Sequence, residues 1–330
     1  MSTATSSAGR AATGSGIEVA VVVAVVVTYD PDTARLQQLL EATRPQVHSL
    51  IIVDNGSNPE RSTWLRQAAS ARGIKLIELG ANRGIAAAQN IGLSHARQVG
   101  ASHVLLLDHD SIPAATMVAD LLQALATVRP AGRGIAAVGP RYLDERQDNP
   151  PPFIRVHGLR VHRCDCPSTD TIVEVDYLIS SGSLIPFPTL DLVGGMAEEL
   201  FIDYVDIEWG LRAGRMGFQS YGVCAAQMSH DLGDAPVSFM GRRVPVHTAL
   251  RHYYHFRNAV WLYRSADLPL HWKCADSWRL LLKFGFYTLF GKPRMDHFRM
   301  MSRGMFDGLR GRMGRLECAS GSPPGAFRSR

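Results

Sequence analysis

The stretch IEVAVVVAVVVT, residues 17–28, decides the fold. From Val19 to Val27 it contains only Val and Ala. β-Branched residues favour strands, and an unbroken apolar run is typical of a strand covered on both faces of a sheet. The run ends in Thr28-Tyr29-Asp30-Pro31, which favours a strand over a signal peptide, since small residues would mark a cleavage site. We therefore expect a central buried strand.

Strand and helix patterns alternate after this strand. Apolar strands are predicted at 49–53, 75–78 and 103–107, and helices at 36–43, 61–72 and 85–99. This alternation predicts an α/β fold with a mainly parallel sheet flanked by helices. Ligands of such sheets bind beyond the carboxyl ends of the strands. Three predicted strands end there in polar residues, namely Tyr29-Asp30, Asp54-Asn55 and Asp108-His109-Asp110.

The composition divides the chain into three parts. Residues 1–16 are small and polar, so we expect a disordered segment. Residues 17–235 form the predicted α/β domain, in which the Pro-rich stretch 144–171 is expected to be a loop or an inserted hairpin over the site. Residues 236–330 form a predicted helical, basic C-terminal region. Lys and Arg number 18 against 25 Asp and Glu before residue 241, and 17 against 5 after it.

Several protein classes are excluded by composition. A hydrophobic fraction of 46% and a charged fraction of 20% are those of a globular chain. The longest apolar run is shorter than the ~20 residues that cross a bilayer, which excludes an integral transporter. Five cysteines in 330 residues make a disulfide framework unexpected, and their thiols are typical of a reducing compartment.

The pair Asp108 and Asp110 follows the apolar strand pattern at 103–107. Where the strand ends and turns, both carboxylates can approach one hard cation such as Mg²⁺. An acidic loop that binds nothing is the alternative. Asp54 follows its strand in the same way and can accept hydrogen bonds from a ribose or a base. A dinucleotide or P-loop site is disfavoured, because the chain has no GxGxxG after its first strand and no Walker A motif.

A second acidic cluster lies at residues 201–212. Asp203, Asp206 and Glu208 stand among large apolar residues, and burial of such a cluster raises at least one carboxyl pKa toward that of a general base. The alternative is a helix N-terminus whose dipole favours negative charge. His230 is a further candidate metal ligand, although a single histidine is more often structural.

Taken together, these residues resemble the family 2 inverting glycosyltransferases with the Rossmann-like GT-A nucleotide-sugar-binding fold, especially the bacterial rhamnosyltransferases of surface-polysaccharide synthesis. The similarity consists of short motifs in the family's order. They are Val-Thr-Tyr at 27–29, Val-Asp-Asn-Gly-Ser at 53–57, Asn82-Arg83-Gly84, Ala-Gln-Asn-Ile-Gly at 88–92, Leu-Asp-His-Asp-Ser at 107–111, the segment 201–209, and His230. In the basic region, Tyr-Tyr-His-Phe-Arg-Asn at 253–258 and the region 307–311 are also similar.

The resemblance implies roles for individual residues. The nucleotide-sugar donor would be bound by Thr28, Tyr29, Asp54, Asn82, Arg83, Gly84, Asn90 and Asp108. Asp110 and Asp108, joined by His230, would bind Mg²⁺ or Mn²⁺. Asp206 falls where the family carries its catalytic base. Val205 replaces an acidic neighbour that many relatives have, so Asp203 and Glu208 remain contenders, and the central His109 is unusual.

The resemblance also implies substrates. The expected reaction transfers L-rhamnose from dTDP-L-rhamnose onto a lipid-linked oligosaccharide of O-antigen or another surface polysaccharide. The alternatives are a hexosyl or galactofuranosyl transfer from a UDP-sugar and, in a different class, a non-catalytic nucleotide-sugar-binding scaffold.

The basic region is expected to contact a membrane. Residues 280–290, with nearby Trp272, Trp278 and several Lys and Arg, have the composition of an interfacial helix. The enzyme would then be cytoplasmic and peripheral on the inner face of the bacterial plasma membrane. A helix packed on the catalytic domain is the alternative. No motif supports nucleic-acid binding, and the oligomeric state is left open.

Overall fold

A computed structural model describes residues 20–130, 132–143, 153–158, 160–230, 237–239, 242–244 and 248–317. The predicted disordered segment 1–16 lies outside these ranges. The strands are β1 Val22–Thr28, β2 Ser49–Asp54, β3 Lys75–Glu78, β4 His103–Asp108, β5 Ser111–Pro113, β6 Gly134–Leu143, β7 Phe153–His157, β8 Arg160–Cys164, β9 Ile172–Val175, β10 Leu184–Pro186, β11 Phe218–His230, β12 Val237–Phe239 and β13 Arg242–Val244. The helices are α1 Thr33–Thr43, α2 Pro59–Arg72, α3 Ile85–Gln98, α4 Met117–Thr127, α5 Phe187–Val193, α6 Val205–Arg215, α7 Ala249–Arg264, α8 Leu270–Phe290 and α9 Arg294–Arg310.

The main sheet has the strand order β3-β2-β1-β4-β10-β6-β11-β5, and β9 pairs with β11. Strands β3, β2, β1 and β4 are parallel, as are β6 and β11. The short β10 is antiparallel to both β4 and β6. The predicted α/β fold with a mainly parallel, helix-flanked sheet is confirmed, and the antiparallel β10 at its centre makes the sheet mixed.

Strand β1 is buried along its whole length, as its sequence predicts. Because side chains alternate across a strand, Val23, Val25 and Val27 pack into one core and Val22, Ala24 and Val26 into another. Helices α1 and α4 cover the second core. Helix α3 covers the core that contains Val23, Val25 and Val27. It packs so closely there that a Cβ on Gly92 would stand 2.2 Å from Val25 Cγ1.

Part of the Pro-rich stretch forms the antiparallel hairpin β7–β8, in agreement with the inserted hairpin that the sequence suggests. Cys166 and Cys224 form a disulfide with Cα atoms 5.7 Å apart. The expectation of reduced thiols is therefore wrong for this pair. Backbone pairing of β9 with β11 brings the two cysteines together, since Cys224 N also donates to Thr171 O. Cys164 and Cys274 are free.

The C-terminal region is helical, as predicted. Helices α7 and α9 pack closely, because a Cβ on Gly304 would lie 2.4 Å from Tyr253 O, and Tyr253 donates a 2.9 Å hydrogen bond to Asp307. Within the described ranges, no helix has the length and apolar character needed to cross a membrane.

Candidate active site

Three polar residues stand where the neighbouring strands β1, β2 and β4 end. In the parallel registers Thr28 stands opposite Asp54, and Val27 stands opposite Asp108. Thr28 and Asp54 are almost fully buried, and Thr28 Oγ1 donates to Asp54 Oδ1 over 3.0 Å. The Asp54 carboxylate also accepts from the backbone N–H and the hydroxyl of Ser57. Tyr29 follows Thr28 and is partly exposed at the same edge.

A polar loop adjoins this edge. Arg83 N donates to Asn55 Oδ1 and Gly84 N to Asn82 Oδ1, at 2.8 and 3.0 Å, which holds the loop against the end of β2. Gly84 has a φ of 90°, and a Cβ there would stand 2.6 Å from Phe201 O, so only glycine fits. The Arg83 side chain is exposed.

Asn90 lies on α3, away from the strand ends. Its amide donates to Met196 O and Glu198 Oε1, and its Oδ1 accepts from Met196 N. In this structure Asn90 therefore ties α3 to the 196–198 turn.

The two aspartates of the metal prediction flank the turn from β4 to β5. Asp108 N donates to Ser181 Oγ, and Arg35 Nε donates to the Asp110 carbonyl over 2.8 Å. In the antiparallel pairing of β5 with β11, His230 stands opposite Ser111, next to Asp110 in the chain. Its side chain lies outside the described part of the structure. No group of three potential metal ligands is found among the described side chains.

The donor atoms at this turn nevertheless fit a divalent cation. Carboxylate oxygens from Asp108 and Asp110 suit Mg²⁺ and Mn²⁺, which keep open positions for phosphate oxygens. The backbone register brings a histidine beside this pair.

The segment that leads into α6 has an unusual backbone. Phe201, Asp203 and Tyr204 have φ values of 65°, 61° and 65°. Non-glycine residues adopt this region only where the surroundings enforce it, and such strain is concentrated at functional sites. The segment delivers Asp206 to the first turn of α6.

The Asp206 carboxyl has a raised pKa. Burial away from water raises its pKa to about 6, against the opposing hydrogen bond from Ile207 N, and the charges of Asp108 and Asp203 raise the pKa further. Asp108 is therefore close enough to act electrostatically on Asp206. A carboxyl with a pKa near neutrality can accept a proton from a hydroxyl group at neutral pH.

The other two base candidates are paired. Glu208 forms a bidentate contact with Arg212, with Nε at 2.7 Å and Nη2 at 3.0 Å. Asp203 accepts from Arg251 of α7 over 3.2 Å. Both carboxylates therefore have cationic partners within the protein.

Two residues of α7, to which the sequence patterns assign no role, hold the strained segment. Asn258 Nδ2 donates to the carbonyls of Leu200, Ile202 and Asp203. Arg257 is 1% exposed and donates to Leu200 O over 2.9 Å. Both residues belong to the Tyr-Tyr-His-Phe-Arg-Asn motif, and an arginine next to an asparagine within an aromatic stretch was the signal that the sequence offered. Helix α7 thus holds the segment that leads into α6 and Asp206.

Two cavities lie in this part of the structure, and Asp206 lines one of them. The first is lined by Asp206, Trp209, Ser180 and Ser183. The second is lined by Tyr142, Phe153, Tyr177 and Ser181. Leu178 borders both.

A mixed α/β sheet with acidic residues at the ends of its parallel strands agrees with the resemblance to the GT-A glycosyltransferases. The chain belongs to glycosyl transferase family 2, whose sequence profile matches residues 23–164. It is 30% identical over 290 residues to the dTDP-rhamnosyl transferase RfbF of Shigella flexneri, and the match covers 87% of this chain and 95% of that protein.

Solved structures share the fold. GalNAc-T7 with UDP, GalNAc and Mn²⁺ superposes with a TM-score of 0.57 at 14% identity, over 88% of this chain and 58% of GalNAc-T7. The mannosyltransferase PcManGT of Pyrobaculum calidifontis with GDP-Man and Mn²⁺ gives a TM-score of 0.54 at 17% identity, over 88% and 87% of the two chains. At these identities the likeness establishes the GT-A architecture.

Proposed function

We propose that this glycosyltransferase moves L-rhamnose from dTDP-L-rhamnose to a saccharide hydroxyl with inversion at the anomeric carbon. The assignment of the donor is supported by the 30% identity to a protein named a dTDP-rhamnosyl transferase, over nearly the whole length of that protein. The acidic strand ends and the loop at residues 82–84 provide a polar edge on which a nucleotide diphosphate sugar can bind.

Asp206 is the proposed base. It takes the proton of the acceptor hydroxyl while that oxygen forms a bond to the anomeric carbon and the bond from that carbon to the phosphate oxygen breaks. The products are the extended saccharide and dTDP, and the proton stays on Asp206. Its pKa of about 6 supports this role, since the group is ionised at neutral pH yet remains an effective acceptor. Asp203 and Glu208 are weaker candidates because arginines neutralise them.

Thr28, Tyr29 and Asp54 would bind the nucleoside, and Asn82, Arg83 and Gly84 the diphosphate. Asp108 and Asp110, with His230 beside them, would hold Mg²⁺ or Mn²⁺. The cation, when bound, neutralises charge that develops on the departing diphosphate.

Thermal unfolding with sugar nucleotides tests the donor. A ligand that binds only the native state raises the melting temperature. We expect dTDP-L-rhamnose with Mn²⁺ to raise it and EDTA to remove the effect, and Asp110→Asn to respond as the wild type does with EDTA. Asp120→Asn, on α4 away from the strand ends, is the matched control. A shift with UDP-sugars alone would contradict the rhamnosyl donor.

A lipid-linked acceptor and a peripheral position at the inner face of the plasma membrane complete the proposal. Helices α8 and α9 expose large apolar side chains, including Trp278, Leu281, Leu282, Leu289 and Phe290. The region that bears them carries an excess of Lys and Arg. Apolar side chains beside basic ones are typical of a helix at an anionic bilayer surface.

Flotation with anionic vesicles tests this contact. The triple variant Trp278→Ser, Leu281→Ser, Leu282→Ser should lose vesicle binding and remain folded, because all three side chains are at least half exposed. Leu192→Ser, equally exposed on α5, is the control. Unchanged flotation of the triple variant would contradict membrane contact through α8.

A further inference from the structure

The chain that follows α9 returns to the edge of the sheet where the donor is proposed to bind. Helix α9 ends at Arg310, and residues 311–317 form neither a helix nor a strand. This post-α9 segment lies outside residues 23–164, which the family profile covers. The donor and metal proposals assign no residue to it. Its contacts nevertheless connect it to the loop at residues 82–84.

Three hydrogen bonds anchor the backbone of the post-α9 segment. Gly314 N donates to Glu199 O over 2.8 Å, and Leu316 N donates to the Tyr254 hydroxyl over 2.9 Å. The Gly314 carbonyl oxygen also accepts from the buried guanidinium of Arg257. Because the residues on both sides of position 315 are held in this way, the backbone at that position has a defined place.

Apolar contacts connect the same segment to the donor side of the molecule. Leu316 packs against the small cluster that contains Phe201 and Tyr254, and the rings of these two residues stack with centroids 5.0 Å apart. Phe201 O accepts from Ile85 N over 2.7 Å. Since Ile85 directly follows the loop at residues 82–84, the cluster joins the post-α9 segment to the end of that loop.

Arg315 stands between the two anchored residues and contacts the loop directly. Its Nη1 donates to the Asn82 carbonyl oxygen over 3.4 Å. Among the residues that the structure describes, its side chain has no other hydrogen bond and no carboxylate partner. A guanidinium group has several N–H donors, so most of those on Arg315 remain available to a ligand.

A second cationic side chain belongs to the residue that follows Asn82. Arg83 is exposed, and its guanidinium has no hydrogen bond or ion pair to any part of the chain that the structure describes. Its backbone N–H donates to Asn55 at the end of β2, which holds the loop at the edge where ligands of parallel sheets bind. Because like charges repel, Arg83 and Arg315 favour an anionic ligand at this loop.

The diphosphate of the proposed donor is such an anion. The nucleoside is proposed to lie at Thr28 and Asp54 and the diphosphate at residues 82–84, and the diphosphate carries the negative charge of a sugar nucleotide. Guanidinium groups bind phosphate oxygens well, because their planar N–H donors form paired, charge-assisted hydrogen bonds. Arg315 is therefore placed to add a second guanidinium to that of Arg83.

We propose that the post-α9 segment completes the donor site and that Arg315, together with Arg83, binds the diphosphate of the sugar nucleotide. When the sugar leaves, both guanidinium groups stabilise the charge that develops on the nucleoside diphosphate. The inference rests on the proposed function. It assigns donor binding to a residue of the basic region, 233 positions along the chain from Asn82.

Isothermal titration calorimetry on the full chain with Mn²⁺ tests this role, with dTDP, UDP and GDP as probes. We expect the wild type to bind at least one of them, and Arg315→Gln to weaken that binding about tenfold, as the loss of a charge-assisted hydrogen bond implies. A glutamine amide can still donate to the Asn82 carbonyl, so a role limited to that contact would leave the affinity unchanged. Arg315→Lys keeps the positive charge and should lose less affinity than Arg315→Gln, and Arg315→Glu should lose more.

Arg312→Gln is the matched control, because Arg312 belongs to the same segment but its guanidinium lies 3.8 Å from Asp307. This variant should bind the diphosphates as the wild type does. Without ligand, every variant should melt close to the wild-type temperature, since both arginines are exposed.

The outcomes separate this inference from the donor proposal. Equal affinity of the wild type and Arg315→Gln, or an equal loss in Arg312→Gln, would overturn the role of Arg315 and leave the donor proposal intact. A wild type that binds UDP or GDP but not dTDP would contradict the rhamnosyl donor alone. A wild type that binds none of the three diphosphates would overturn both.

Discussion

Replacing Asn258 by alanine tests whether the C-terminal helices hold the segment that carries the proposed base. The buried amide donates to Leu200 O, Ile202 O and Asp203 O over 2.9, 2.7 and 3.0 Å. Its two N–H groups serve three carbonyls, so about two full hydrogen bonds are lost, each worth about 1 kcal/mol net, and a buried carbonyl left without a donor costs about 1–3 kcal/mol. We expect the free energy of unfolding to fall by about 2–4 kcal/mol.

Turnover should suffer beyond this loss of stability. The left-handed backbone at Phe201, Asp203 and Tyr204 is unfavourable by about 1–3 kcal/mol per residue unless the surroundings enforce it. Without the Asn258 amide the segment relaxes and displaces Asp206. We expect kcat to fall at least about tenfold at a temperature where the variant is folded, because small displacements of a reacting group are costly. The melting shift with dTDP should remain, since Thr28 and Asp54 are untouched.

Urea unfolding measures the change in the free energy of unfolding, and the pH dependence of kcat measures the effect on the base. Thr189→Val is the matched control, because Thr189 is also buried and donates to one backbone carbonyl, Ile135 O, over 2.8 Å. It should lose stability with no change in kcat. If Asn258→Ala lost the expected stability but kept the kcat and the acidic limb of the wild type, Asn258 would have no part in positioning the base.

Three further outcomes are expected. The pKa of about 6 for Asp206 implies that kcat rises as the pH increases through 6, and that Asp206→Asn abolishes transfer. Because the raised pKa makes the ionised carboxylate unfavourable in the folded protein, Asp206→Asn should increase the free energy of unfolding by about 1–3 kcal/mol at neutral pH. Below about pH 4, where the carboxyl is protonated in both states, it should have no such effect. Urea unfolding at both pH values measures the difference. Glu208→Gln removes the partner of Arg212 and should lower the melting temperature while kcat is kept; a loss of kcat in the folded variant would make Glu208 the base. Gly84→Ala places a Cβ 2.6 Å from Phe201 O and should weaken the melting shift with dTDP-L-rhamnose, whereas Gly100→Ala, with open space at its Cβ, should not.

The parallel half of the sheet could be predicted because its information is local. The Val-rich β1 and the apolar runs that end at Asp54 and Asp108 specify buried strands without reference to the rest of the chain. Once parallel strands were expected, the gathering of these residues at one edge followed from topology. Even so, β2 and β4 each extend one residue further than predicted, to include the aspartate.

The remainder depends on long-range contacts that local patterns do not encode. Strand β10 has only three residues, yet it occupies the centre of the sheet between β4 and β6. The disulfide joins cysteines 58 residues apart. In the sequence, Asn258 is a polar residue within an aromatic stretch. Its hydrogen bonds to the backbone of residues 200–203 form only when α7 packs against that segment.

The pairing of β5 with β11 has a consequence for how the molecule is made. Ser111 meets His230 only after the intervening chain has been synthesised, so the turn that carries Asp108 and Asp110 acquires its last neighbour late. Contacts between distant parts of a chain form slowly, and synthesis proceeds from the N-terminus. On the ribosome, β1 to β4 can assemble while the turn proposed to bind the cation still lacks its pairing with β11. The stability of nascent chains should therefore depend on Mn²⁺ only after β11 has left the ribosome. Stabilisation by Mn²⁺ would then report when β5 and β11 have paired.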